Sequence, residues 1–256
     1  MEDYNNTMSI TDRVKDALED YKLFTNITDF PNFDIVVDSS NIDETLDNLA
    51  VSLGSADYEL STGKQKLVLY ESVFNKMVNP RSLLFHEFTH IYDDKAFINQ
   101  DGRKKIAFHG VTEYHAAQIE LLYLVGAASV NHIDNFSMNK KILSRFMEES
   151  IQEFLERSHQ RVKELINTDY YRTSIGALGQ SLGAIFNYLG YVDVCERHAT
   201  DYSGDCDVDL LSPIVDMALI KEFSIKMGYR LSIQGATNCA NQYLMVISKL
   251  LPIVTR

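Results

Sequence analysis

A helix that is apolar on nearly every side yet carries ionisable groups leaves a chain few ways to fold, because it must be embedded and its polar side chains must find partners there. Residues 80–94 predict such a helix. Asn79-Pro80 supplies a cap position and then proline at the first helical position, and Leu83, Leu84 and Phe85 lead into His86-Glu87-Phe88-Thr89-His90.

Side chains four residues apart on a helix lie one above the other, so His86 and His90 point the same way and can share a metal ion. Glu87 lies about 100° further round the axis, near the metal without being obliged to bind it. Zinc takes imidazole nitrogens at about 2.0 to 2.1 Å, and a catalytic site adds a third protein ligand while leaving one position for water. Zinc lowers the pKa of that water towards about 7, and a neighbouring carboxylate can take the proton and pass it to a leaving amine. Glu87 is the residue for that role.

The segment Ser82-Leu83-Leu84-Phe85-His86-Glu87-Phe88-Thr89-His90-Ile91-Tyr92-Asp93 resembles the active-site helix of HExxH zincin metallopeptidases. The resemblance covers residues 31–129. It implies a small twisted sheet with a substrate-binding edge strand, packed on two helices, one Zn2+ per chain, and hydrolysis of peptide bonds; it says nothing about residues 138–256. Asp93 and Ala96 stand where the metzincin pattern has Gly and then His or Asp. The gluzincin pattern, in which a glutamate from a following helix completes the site, is therefore the nearer one, and Thr112-Glu113-Tyr114-His115-Ala116-Ala117 offers that glutamate. A looser likeness to the ImmA/IrrE branch of zincins, where alanine stands three residues after the ligand glutamate, points to the same Glu113 and Ala116.

Ala117 departs from the gluzincin pattern, which has there an aspartate that orients a histidine ligand. Metal-bound imidazoles usually donate their other nitrogen to a carboxylate or carbonyl, and Asp93 and Asp94 are the local substitutes. Glu113 has rivals as third ligand. Glu120, two turns along the same face, could be ligand or hydrogen-bond partner, and His109 and His115 are the others. His109, His115, Tyr92 or Tyr114 could instead stabilise an oxyanion.

Apolar periodicity from Ile10 predicts a helix over residues 10–24 with Ser9 as cap, followed by a strand at 33–37 and a helix at 42–53 ended by Gly54. Runs 58–61 and 66–70, joined by Thr62-Gly63-Lys64-Gln65, predict a hairpin whose second strand could accept an extended peptide by edge addition. Residues 96–110, with Asp101-Gly102 and a basic cluster, read as a loop or as a segment containing a turn, with Arg103 to Lys105 solvated, and a helix restarts near Thr112. Beyond Met138 the pattern is helical throughout, at 141–166, 170–198, 213–227 and 236–251, with an acidic loop capping a helix at Ser212-Pro213. The expected fold is α+β: a small zincin-like sheet on an active-site helix and a ligand helix, followed by a C-terminal helical bundle. The expected domains are a metallopeptidase unit, 1–134, and a helical unit, 135–256.

The chain has 36 acidic and 24 basic side chains, a formal charge of −12, so its average surface repels phosphate backbones and anionic lipid and no nucleic-acid partner is expected. Residues 1–10 lack the basic start and apolar run of a secretory signal. Stretches 119–130 and 177–194 are too short or too interrupted to span a bilayer, so no membrane partner is expected. Cys195, Cys206 and Cys239 show no paired spacing, which fits a reducing cytoplasm. His132, His159 and His198 share no spacing and read as surface or satisfied histidines.

These features describe a cytoplasmic zinc-dependent peptidase acting on a peptide or protein substrate, with His86, His90 and Glu113 holding the metal and Glu87 as general base. The alternative, from another class, is a catalytically silent zincin-like binding or regulatory protein whose helical half is the working surface. That half also offers faces through which two chains could pair as a homodimer.

Overall fold

The computed structural model of the chain describes residues 8–40, 54–204 and 207–254, so the helix expected at 42–53 lies outside the described residues. Helix α1 (Ile10–Thr25) begins where the sequence predicts, with the Ser9 side chain accepting from the Asp12 amide at 3.1 Å, and buries Val14, Ala17 and Tyr21. Strand β1 (Asp34–Asp38) runs parallel to β3 (Lys64–Tyr70), which pairs antiparallel with β2 (Gly54–Glu59). The sheet order is β1-β3-β2. The hairpin is present, and Gly63 takes the left-handed φ of 69° that its turn requires. The edge assignment needs correcting: residues 66–70 belong to the central strand, because β1 arrives in parallel on their other side. Among the described residues the outer edges of the sheet belong to β1 and β2.

After the short helix α2 (Glu71–Phe74) comes α3 (Pro80–Asp93), which continues in a π-helical turn over Asp94–Ile98. Asn79 occupies the cap position, but its amide donates to Leu143 O at 2.6 Å instead of capping. The expected loop at 96–110 is largely helix. Asn99 and Gln100 turn the chain with φ of 43° and 66°, and the Asp101 side chain accepts from the Arg103 and Lys104 amides to start α4 (Gly102–Leu124). Asp-Gly is here a helix start, because the aspartate satisfies amides that would otherwise lack partners. Arg103 to Lys105 form a solvent-facing first turn.

The region beyond Met138 is not wholly helical. Strands β4 (Lys141–Leu143) and β5 (Glu148–Ser150) form a hairpin, and helix α5 (Ile151–Asn167) starts only at the Ser150–Glu153 capping box. The Ser150 amide donates to Glu153 Oε2 at 2.6 Å while its hydroxyl accepts from the Glu153 amide at 3.2 Å, which satisfies both amides reciprocally. Helices α6 (Ile175–His198), α7 (Val208–Leu211), α8 (Met217–Lys226) and α9 (Ile233–Val254) follow. The predicted helix start at Pro213 is displaced, since Asp216 caps α8 through the Ala218 amide at 2.9 Å.

The architecture is α+β, with helix α4 at its centre: it packs on α3 at one side and on α6 and α9 at others. One hydrophobic cluster runs from Val14 on α1 to Leu250 on α9. The approach of α6 to α4 depends on glycine, because a Cβ at Gly190 would sit 2.3 Å from the Tyr114 carbonyl oxygen and 2.9 Å from Ala117 Cβ. Among the described residues no helix is long and apolar enough to cross a membrane.

Candidate metal centre

Helix α3 is fixed from behind. Tyr21 on α1 hydrogen-bonds Thr89 at 3.1 Å and meets the Phe85 and Phe88 rings edge-on, while Gln65 on β3 donates to the Ile91 carbonyl at 2.6 Å. The opposite face of the helix turns Leu83, His86, Glu87, His90 and Asp94 into a cavity of about 1020 Å³. The sheet and α1 thus set the rotation of α3, and rotation decides which side chains face the opening.

Across the cavity wall α4 brings in Glu113. The His86 and His90 Nε2 atoms are 3.2 Å apart, and Glu113 Oε2 lies 3.6 Å from His90 Nε2 and 3.8 Å from His86 Nε2. Four tetrahedral ligand atoms at zinc bond lengths stand about 3.4 Å from one another. The three separations therefore match that requirement closely, and two imidazole nitrogens with a carboxylate oxygen form a donor set suited to zinc. Among the described residues this trio forms a group that could hold a metal ion.

The electrostatics of the trio follow from mutual contact. Burial pulls both imidazoles down, but the Glu113 carboxylate outweighs it; His90 is raised to about 10, helped by Glu87 and Asp94, and His86 is raised by Glu113 and Glu120 against the opposing charge of His90. Burial pushes Glu113 up, yet His90, His86 and His109 hold it well below the usual carboxylate range. Without a metal the carboxylate and the two imidazoles favour one another's charged forms, so a cation arriving there competes with protons.

Glu120 is the partner of His86. Its Oε2 lies 3.1 Å from His86 Nδ1 and accepts from Tyr191 Oη at 2.7 Å, and Arg145 grips both oxygens through Nε at 2.9 Å and Nη2 at 2.7 Å. Burial raises this carboxyl, but Arg145 and His86 together bring it down to about 2. Ionised Glu120 accepts the Nδ1 proton of His86 and leaves Nε2 directed at Glu113 and His90.

The other candidates divide. Asp93 does not orient a ligand: three residues past His90 it points away from the cavity and bonds His115 Nδ1 at 2.8 Å. His115 is turned away from the trio as well, with its Nε2 towards the Tyr229 carbonyl at 3.3 Å. Tyr114 is buried against the Phe223 ring, and Tyr92 stacks on Phe30. Asp94 lines the cavity, and burial pushes its carboxyl up to about 7 against the pull of His90. His109 also lines it, with Nδ1 3.7 Å from Glu113 Oε1 and Nε2 3.2 Å from the Gly179 carbonyl.

The sequence gives no sign of Arg145 and Tyr191, which reach Glu120 from the β4–β5 hairpin and from α6. Gly176, Gly179 and Gly183 form a small-residue face of α6 along the cavity, and a Cβ at Gly183 would stand 3.5 Å from the Glu113 carboxylate. That spacing, readable once α6 is accepted as a helix, was the available signal for the helix that borders the site.

Comparison of the chain with protein-family models, with curated proteins and with solved structures finds no match. The functional reading therefore stands on the site itself.

Proposed function

We propose that this chain is a zinc-dependent peptidase of the HExxH zincin kind, in which His86, His90 and Glu113 hold the metal and Glu87 is the general base. The supporting observation is the convergence of two imidazole nitrogens and a carboxylate oxygen, all within 4.8 Å, on the wall of a cavity that Glu87 also lines. A bound zinc ion supplies a Lewis acid that polarises a peptide carbonyl and acidifies water. The remaining work falls to side chains. Glu120 holds His86 in the tautomer that frees Nε2. Glu87 accepts a proton from water and returns it to the nitrogen of the leaving amine. Of His109, His115, Tyr92 and Tyr114, His109 alone lines the cavity, and it becomes the oxyanion donor when its Nε2 proton turns from the Gly179 carbonyl to the substrate.

The peptide would lie along β2. Ser55, Ala56 and Asp57 border the cavity, and among the described residues no strand pairs with the outer edge of β2, so their main-chain groups can hydrogen-bond an extended substrate. Replacing Glu87 by Gln is expected to leave one zinc per chain and abolish cleavage of a peptide library. A Glu87→Gln chain as active as the parent removes the mechanism. A parent chain that binds zinc and cleaves nothing favours instead a silent binding protein built on the same site.

A further inference from the structure

Helix α6 brings to the cavity a polar side chain that the folded chain leaves unused. Asn187 lines the cavity, its Oδ1 is buried without a hydrogen-bond partner, and among the described residues its amide nitrogen has no partner either. Its neighbours one helical turn away on each side fix where it stands. Towards the start of α6, a Cβ at Gly183 would stand 3.5 Å from the Glu113 carboxylate and 3.6 Å from His109 Nε2. Towards the end, Tyr191 Oη donates to Glu120 Oε2 at 2.7 Å, and that oxygen lies 3.1 Å from His86 Nδ1. Residues four apart share a helix face, so Asn187 stands between a contact to Glu113 and a contact to the partner of His86. Helical side chains lean towards the helix start, and Gly183 has no side chain to occupy the space into which Asn187 leans.

The ionised groups nearby already face one another, Glu113 the two imidazoles and Glu120 the Arg145 guanidinium. Asn187 is neutral and unpaired beside them. A carboxamide carries an acceptor oxygen and two N–H donors, and leaving such groups unpaired away from water costs free energy that a ligand supplying partners recovers. The terminal bond of asparagine turns over a broad range, so either amide atom can be presented to the cavity. A peptide bond, with one N–H and one C=O, complements both. An extended peptide bonded to β2 along one edge keeps the main-chain groups of its other edge unpaired, and a carboxamide in the same cavity can take them.

We propose that Asn187 is a substrate-binding residue whose carboxamide hydrogen-bonds the peptide main chain beside the bond presented to His86, His90 and Glu113. This rests on the peptidase reading above. The contact recognises the backbone of the substrate and is indifferent to its side chains.

The test is equilibrium binding to the full-length, zinc-loaded Glu87→Gln chain by titration calorimetry. The probes are acetyl-Ala-Phe-Ala-Ala-amide and its analogues in which one main-chain amide at a time is an ester, which lacks the N–H and accepts more weakly. One replacement should weaken binding by at least about fivefold, the worth of a neutral hydrogen bond. Adding Asn187→Ala, too small to obstruct the peptide, should weaken the all-amide probe by a similar factor and reduce the effect of that replacement to less than about twofold. A merely structural role for Asn187 would weaken every probe alike and leave the effect of each ester intact. The proposal is overturned if the all-amide probe does not bind, or if every ester has the same effect with and without Asn187 in protein of unchanged zinc content and circular dichroism. Loss of the ester effect on Asn187→Ala without cleavage of the all-amide probe by the parent chain removes the peptidase reading and leaves the Asn187 contact standing. Cleavage with the ester effects unchanged does the reverse.

Discussion

Glu120→Gln tests the centre at its most heavily connected point. The carboxylate receives two bonds from Arg145 and one from Tyr191, and it faces His86 Nδ1. Glutamine keeps the shape but loses the charge, and its amide nitrogen cannot accept from any of these donors. Two routes give the cost. A carboxyl held at about 2 instead of 4.5 contributes on the order of 3 kcal/mol at neutral pH. Because the folded-state value is depressed, that contribution is complete above about 4.5 and disappears as the pH falls towards 2. Independently, stripping a buried arginine of its counter-charge costs about 3 to 5 kcal/mol. Urea unfolding of zinc-free protein at pH 7 should therefore show a loss of about 3 to 5 kcal/mol. Zinc affinity, measured by competition with a chromophoric chelator, should fall about 10- to 100-fold, since His86 loses the group that orients it. Unchanged zinc affinity in a destabilised Glu120→Gln protein would refute the claim that Glu120 orients a ligand. Unchanged stability would refute the assignment of Glu120 as the counter-charge of Arg145.

His86→Ala and Glu113→Gln should each abolish stoichiometric zinc in purified protein, as read by elemental analysis, whereas Glu87→Gln should not. Both histidines are raised in the metal-free chain, His90 to about 10, so binding expels at least one proton and zinc affinity should climb with pH between 6 and 8, by about tenfold per unit; a flat profile would show that the imidazoles are already neutral. The stability of metal-free protein follows the same groups: the His90 contribution is full below 6.5 and lost as pH rises through about 10, while that of Glu113, whose value is depressed, is present above 4.5 and lost on acidification. Gly190→Ala should cost at least about 1 to 3 kcal/mol in urea unfolding, because its Cβ would stand 2.3 Å from a backbone oxygen, whereas Gly183→Ala meets only 3.5 Å contacts and should leave stability nearly unchanged.

Signals confined to one helix were legible in the sequence, and those that depend on how helices cross were not. Ser9 and the apolar spacing after it delimit α1, and the i, i+4 pair His86 and His90 needs only the geometry of α3. Asp101-Gly102 misleads because the same dipeptide serves a hairpin turn or a helix start, and only the free amides of Arg103 and Lys104 decide. The helical spacing of Ile142 and Phe146 is coincidental: the Ser150–Glu153 box fixes the helix start after them. Within the site, Asp93 was the nearer carboxylate in sequence, but Glu120 meets the imidazole, because the crossing of α3 and α4 decides which acid faces His86.

That crossing also explains why the rear of the chain is inseparable from the metal centre. Helix α4 is buried on nearly every side, and its polar residues divide by face: Glu113 and Glu120 turn towards His86, while His115 turns to Asp93 and the Tyr229 carbonyl. A buried Glu120 tolerates ionisation only if cations and donors reach it from elsewhere. Arg145 comes from a hairpin and Tyr191 from α6, neither of which belongs to the front segment that carries His86 and His90. The glycines of α6 then let that helix lie against Glu113 and Tyr114 without steric conflict at Gly183 and only because Gly190 has no side chain. The carboxylate that meets His86 near the front of the chain is thus held ionised by residues supplied from the back. A change in the packing of α6 on α4 should therefore be felt at His86 through Tyr191 and Glu120 before it is felt at the sheet.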